Sequence, residues 1–136
     1  MRREGWELRL VAVIEAARQK PYALGTHDCF SFACQAVHAL TGIDHWPQWE
    51  GRYTTRREAL KLLAEYGRTF TDSFTRLFGV EPASMPFAMR GDIAEYVDAR
   101  GEAHLGVVIG MGVAVLGEKG LEFLPRVACR HAWRIG

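Results

Sequence analysis

The chain changes texture once, and that change limits its possible folds more than any other feature. As far as Gly79 the apolar residues recur at three- and four-residue spacing; beyond Pro82 and Pro86 they alternate or run together with β-branched content. The first pattern suits helices that bury one face and the second suits strands. Helices first and strands second predicts an α+β domain, with N-terminal helices packed on a C-terminal antiparallel β-sheet. At 136 residues one domain spanning 1–136 suffices, with a core that needs no metal or disulfide staple.

In the first part, Trp6, Leu10, Val13, Ile14 and Ala17 mark an amphipathic helix over 6–19, which Pro21 stops. A loop containing Gly25 follows. Asp28 is placed to cap a second helix that buries Phe30, Ala33, Cys34 and Val37 and ends at Gly42. Residues 43–53 are expected as a packed loop, in which Trp46, Trp49 and Tyr53 suit either a sugar- or peptide-contacting platform or closure of the core. Thr55 and Glu58 form a capping box for a helix reaching Tyr66, and Thr71 or Asp72 is placed to cap a short helix through Phe78. Strands are expected at 92–98, 104–109, 113–116, 121–124 and 131–135, meandering through turns at 98–101 and 117–120.

A formal net charge of +1, and no basic run longer than two residues, argue against a nucleic-acid groove or attraction to anionic membranes. Arg2 and Arg3 imitate the basic start of a signal peptide, but the apolar run from Leu10 to Ile14 is too short for one and far too short for a membrane span. The expectation is a chain start that belongs to the fold, with no signal peptide. Three cysteines cannot pair completely within one chain, which fits a reducing compartment or thiol-dependent chemistry.

Cys29 stands where the Gly25 loop becomes an apolar helix. Free N–H groups and the helix dipole at that point favour a thiolate, so Cys29 is a candidate nucleophile. It needs a base. Among His27, His38, His45, His104 and His131, His104 opens the strand His104-Leu105-Gly106-Val107-Val108-Ile109, where a rim side chain can face a packed helix. Gly106 is expected to leave room for that helix. A metal centre drawn from His27, Cys29, Cys34, His38 and His45 finds no ligand spacing, and Cys34 falls on the apolar stripe. The expectation is no metal and no cofactor.

Pro21-Tyr22…Gly25…Asp28-Cys29, Gly91-Asp92-Ile93 and His104-Leu105-Gly106-Val107-Val108, in this order, resemble the NlpC-like cell-wall peptidases, which are small papain-like cysteine peptidases. The short chain, the Trp-rich insert and the ending Ala132-Trp133-Arg134-Ile135 resemble a phage-tail-associated branch. The resemblance implies a papain-like fold and a hydrolase acting on amide bonds of peptidoglycan stem peptides. Cys29 would be the nucleophile and His104 the base. The Cys29 N–H would form part of an oxyanion hole, Tyr22 would line the site, and Asp28 would face the substrate's free amine as well as cap the helix. Asp92 would be structural. Further implications are other tail or baseplate proteins as partners and a location in the virion tail after synthesis in the host cytoplasm.

Two positions depart from the family pattern. Phe30 follows the cysteine where a serine is usual. The strand that normally supplies a polar residue to orient the histidine is Val113-Ala114-Val115-Leu116, and neither Glu118 nor Glu122 matches that role. A second reading therefore stands beside the first: a structural or adaptor component of a tail tip or baseplate, with a degenerate site on the same fold.

Overall fold

Capping sets the helical half. The computed structural model describes residues 1–136. Helix α1 (Trp6–Ala17) buries Leu10, Ile14 and Ala17. Helix α2 (Cys29–Thr41) starts from Asp28, whose carboxylate accepts the Ser31 N–H while the Ser31 hydroxyl accepts the Asp28 N–H, each at 2.9 Å. Gly42 closes α2 at φ 81°, a left-handed conformation that glycine adopts without strain.

Helix α3 (Arg56–Leu63) has the expected Thr55–Glu58 capping box but stops short of Tyr66. The reason lies in the next helix: the buried Ser73 hydroxyl of α4 (Phe70–Phe78) donates to the Leu63 carbonyl at 2.7 Å, taking up an acceptor at the α3 end. The α4 cap is Thr69, whose side chain accepts the Asp72 N–H, and neither Thr71 nor Asp72 fills that place.

The strands are β1 (Ile93–Val97), β2 (Ala103–Val108), β3 (Gly112–Gly117), β4 (Gly120–Pro125) and β5 (Cys129–Trp133), in the antiparallel order β4-β3-β2-β1-β5. The architecture is α+β, as expected, but the sheet is not a simple meander. After Pro125 the chain crosses to the far edge and β5 pairs with β1. Arg126 holds the crossing: its guanidinium donates to the carbonyls of Gly110, Met85 and Ala88 at 2.7, 2.7 and 2.6 Å. β5 accordingly begins at Cys129, ahead of the expected 131.

The sheet has apolar residues on both faces. Ile93, Leu105, Val107, Ala114 and Trp133 join the helices in the main core, with Phe32 and Leu40 of α2. Ala94, Val108, Val113, Val115, Cys129 and Ala132 form a smaller cluster with Met85 on the other face. Gly106 belongs to that second face. A Cβ there would lie 2.6 Å from Val113 Cγ1 and 2.9 Å from Val115 Cγ1, so the room it leaves is taken by β3 and not by α2.

Trp49 and Tyr53 are 2% and 4% exposed, so the tryptophan loop closes the core instead of forming a platform. Phe30 packs against Trp49, Phe74 and Trp46 at ring-centroid distances of 4.8, 5.4 and 6.1 Å. The aromatic side chain after the cysteine and the Trp-rich insert thus fill one space.

Arg2 is locked into the structure. Its guanidinium donates to Asp92, to the Ile135 carbonyl and to the Arg90 carbonyl at 2.9, 2.8 and 2.7 Å, and stacks over Trp6. Asp92, 2% exposed, also accepts the N–H groups of Ile135 and Met89. No helix is long and apolar enough to cross a membrane.

Candidate functional site

Cys29 is the first residue of α2 and is partly exposed. The loop before it is braced by its own backbone: Ala23 pairs with His27, and Gly25, at φ 88°, donates its N–H to Asp28 Oδ2 at 2.8 Å. A Cβ on Gly25 would approach the Tyr53 carbonyl to 2.9 Å, so this glycine is needed for both its angle and its size.

Asp28 is 2% exposed and fully engaged. Oδ1 accepts from Ser31 N–H; Oδ2 accepts from Gly25 N–H and from the Tyr53 hydroxyl at 2.5 Å. Asp28 also lines the cleft in front of Cys29, with these bonds already in place. It is the brace that holds loop, helix and tryptophan segment together.

Burial pushes the Cys29 thiol up to about 11, against the backbone N–H of Leu105, which faces it and favours ionisation. The Asp28 charge raises it further and Arg56 opposes. Cys29 therefore rests as a thiol, and an attack by it needs a base at the moment of reaction.

His104 lies on β2 directly opposite Tyr96 of β1, and the two rings stack with centroids 5.2 Å apart. The pleat places it on the Gly106 side of the sheet, whereas Leu105 packs toward α2. His104 and Cys29 are not hydrogen-bonded to each other. What connects them is the start of β2: His104 is followed at once by the Leu105 N–H that faces the thiol. Tyr96 sits in the same neighbourhood: burial, then the fields of Cys29 and Asp98, push its phenol above the ordinary range.

The polar partner of His104 comes from the β1–β2 turn and not from β3. His104 Nε2 is 2.8 Å from Asp98 Oδ2. Asp98 Oδ1 accepts the N–H groups of Arg100 and Glu102 at 2.8 and 3.0 Å. The bond to His104, then that to Glu102 N–H, holds the Asp98 carboxyl down to about 2. An ionised carboxylate only accepts, so Nε2 carries a proton, and in the neutral form of the ring Nδ1 presents the lone pair. Asp98 was read as a turn residue alone. The signal available was its place at the mouth of a hairpin whose returning strand carries the histidine.

Tyr22, 39% exposed, lines a small cleft with Cys29, Leu24, Tyr53 and Arg56; burial, then Cys29 and Asp28, push its phenol up to about 12. The cleft is small, about 40 Å³, room for a few waters. Arg56, in the first turn of α3, pairs with Glu102 at 3.2 Å and donates to the Ala103 carbonyl, tying α3 to the hairpin.

The histidines and cysteines weighed as ligands do not converge. Cys34 is core, and His27 is 2% exposed with both ring nitrogens unpartnered, burial lowering its pKa. The cluster that does form is Asp98, Glu102 and His104, with ligand atoms within 4.8 Å of one another. His131, to which the sequence lent no context, bonds the buried Glu95 at 3.0 Å; Glu95 also accepts from Thr71 at 2.7 Å.

The chain matches, over residues 1–135, the family described as Domain of unknown function (DUF6950), and it belongs to that family. No curated protein and no solved structure matches it.

Proposed function

We propose that this is a papain-like cysteine peptidase or amidase of the NlpC type, delivered by a phage tail and cutting stem-peptide amide bonds of peptidoglycan. The observation that carries the chemistry is the Asp98–His104 pair at 2.8 Å, at the start of the strand whose Leu105 N–H faces Cys29. The substrate and the tail setting rest on the motif resemblance.

In this reading His104, on the other face of β2 from Leu105, swings round the strand's rim on substrate binding and brings Nδ1 to the thiol. Nδ1 takes the proton and sulfur attacks the carbonyl carbon. The Cys29 N–H, a first-turn donor that Asp28 does not use, meets the oxyanion. The intermediate collapses, His104 returns the proton to the departing amine, and water then releases the acyl group by the same route. Asp98 keeps the tautomer correct throughout. Purified peptidoglycan incubated with the protein releases new amino groups; Cys29→Ala abolishes this, and Asp98→Asn lowers kcat on the order of a hundredfold or more with the fold intact. Release that persists in Cys29→Ala refutes the assignment.

The raised thiol and the lack of a Cys29–His104 hydrogen bond favour a second reading, a tail-tip adaptor with a silent site. There, Cys29→Ala virions infect as well as wild type.

A further inference from the structure

We infer that Asp98, Glu102 and His104 form a site for a divalent transition metal, Zn²⁺ being the best match, and that its occupation switches His104 out of catalysis. The binding claim stands on the hairpin alone; only the inhibition rests on the peptidase reading.

Three donors of different chemistry converge from one turn: two carboxylates and one imidazole, with ligand atoms within 4.8 Å of one another and all three side chains partly buried. Around Zn²⁺, ligands at about 2.0–2.2 Å in a tetrahedron stand roughly 3.4 Å apart. Asp98 Oδ2 and His104 Nε2, now 2.8 Å apart, need to open only by about half an ångström to take the ion between them.

Each donor is already aimed by a second contact, the support on which metal sites depend. Asp98 commits Oδ1 to the Arg100 and Glu102 N–H groups, which leaves Oδ2 to coordinate. The His104 ring is held flat against Tyr96. Glu102 is steadied by Arg56 at 3.2 Å. Turn bonds from Gly101 N–H to the Asp98 carbonyl, and from Asp98 N–H to the Glu102 carbonyl, fix the backbone between the ligands. One imidazole and two carboxylates suit Zn²⁺ and leave its fourth position to water.

The consequence follows from the tautomer. Paired with Asp98, His104 carries its proton on Nε2 and offers Nδ1 to a thiol. A metal takes the Nε2 lone pair once the neutral ring retautomerises, its single proton leaving Nε2 by way of water and a proton returning to Nδ1. The bound ring then holds N–H at Nδ1 and has no lone pair left to accept the Cys29 proton. The same three residues therefore serve either the base or the ion.

The test uses the whole chain with Zn²⁺ for calorimetry and Co²⁺ for spectroscopy. One ion binds per chain, the Co²⁺ spectrum lacks a thiolate charge-transfer band, and the His104 ring signals alone among the five histidines respond to one equivalent. Glu102→Gln, outside the proposed catalytic set, weakens binding at least tenfold. Zn²⁺ suppresses peptide release in proportion to occupancy, and a chelator restores it. No binding at millimolar ion, a thiolate band from Cys29, Cys34 or Cys129, or unchanged affinity in Glu102→Gln overturns the site. Binding without any peptidase activity leaves the metal site standing and removes the peptidase reading.

Discussion

Removing one hydroxyl from Tyr53 tests whether Asp28 is the brace of the site. The Tyr53 hydroxyl donates to Asp28 Oδ2 at 2.5 Å, and the two residues are 4% and 2% exposed. A hydrogen bond to a charged group contributes about 1.5–3 kcal/mol. In Tyr53→Phe, Oδ2 retains the Gly25 N–H, so the loss falls in the lower part of that range, about 1.5–2 kcal/mol. With an unfolding entropy of roughly 2.1 cal/mol/K per residue over 136 residues, that lowers Tm by about 5–7 °C. Asp28→Ala costs more, about 4 kcal/mol, because it removes the cap and leaves the Tyr53 hydroxyl and Gly25 N–H unpaired. The double variant is then at least ~1 kcal/mol less destabilised than the two single losses added together. Thermal and urea unfolding of the four proteins measure the cycle. A Tyr53→Phe protein that melts with wild type, or strictly additive losses, refutes the brace.

Three further outcomes follow from the packing and the thiol. Gly106→Ala drives a methyl group into Val113 and Val115 and lowers stability by about 1–3 kcal/mol in urea unfolding, although the position looks harmless. Arg2→Ala removes the nearer cation of the buried Asp92, leaving Arg134 at 3.9 Å, and costs about 2–3 kcal/mol, read from the same titration. Alkylation of Cys29 climbs about tenfold per pH unit from 7 to 9, because a thiol near 11 holds about a hundredfold less thiolate than one at the ordinary 9.0. A rate already flat across that range shows a standing thiolate and overturns the resting-thiol state.

Much of the helical half was legible because caps are local. Asp28, Gly42, Thr55 with Glu58, and Gly79 mark helix ends by their own chemistry, within a few residues of the groups they satisfy. What failed was decided at a distance. The end of α3 depends on a hydroxyl ten residues away in α4, and the choice of Thr69 over Thr71 follows once Thr71 is drawn to Glu95. The return of β5 to β1 depends on Arg126 finding three carbonyls on other segments, for which no pattern in 126–133 gives a sign. At the site, Cys29 and His104 were visible as residue types in suitable positions. Asp98 was hidden by its second occupation as a turn former. Gly106 was seen as a vacancy, but the pleat, which decides whose vacancy it is, depends on the partner strand.

The grip of Arg2 on Asp92 and Ile135 has a bearing on how the chain is made. A side chain near the first residue completes its bonds only with a backbone carbonyl at position 135, so the contact spans almost the whole sequence. Such a closure comes late, after the intervening loop entropy has been lost. During synthesis the helices can form as they emerge, but Arg2 must wait for the final strand. Until then Arg2 lacks the Ile135 carbonyl and Asp92 lacks the Ile135 N–H, and the nascent domain remains open at that seam.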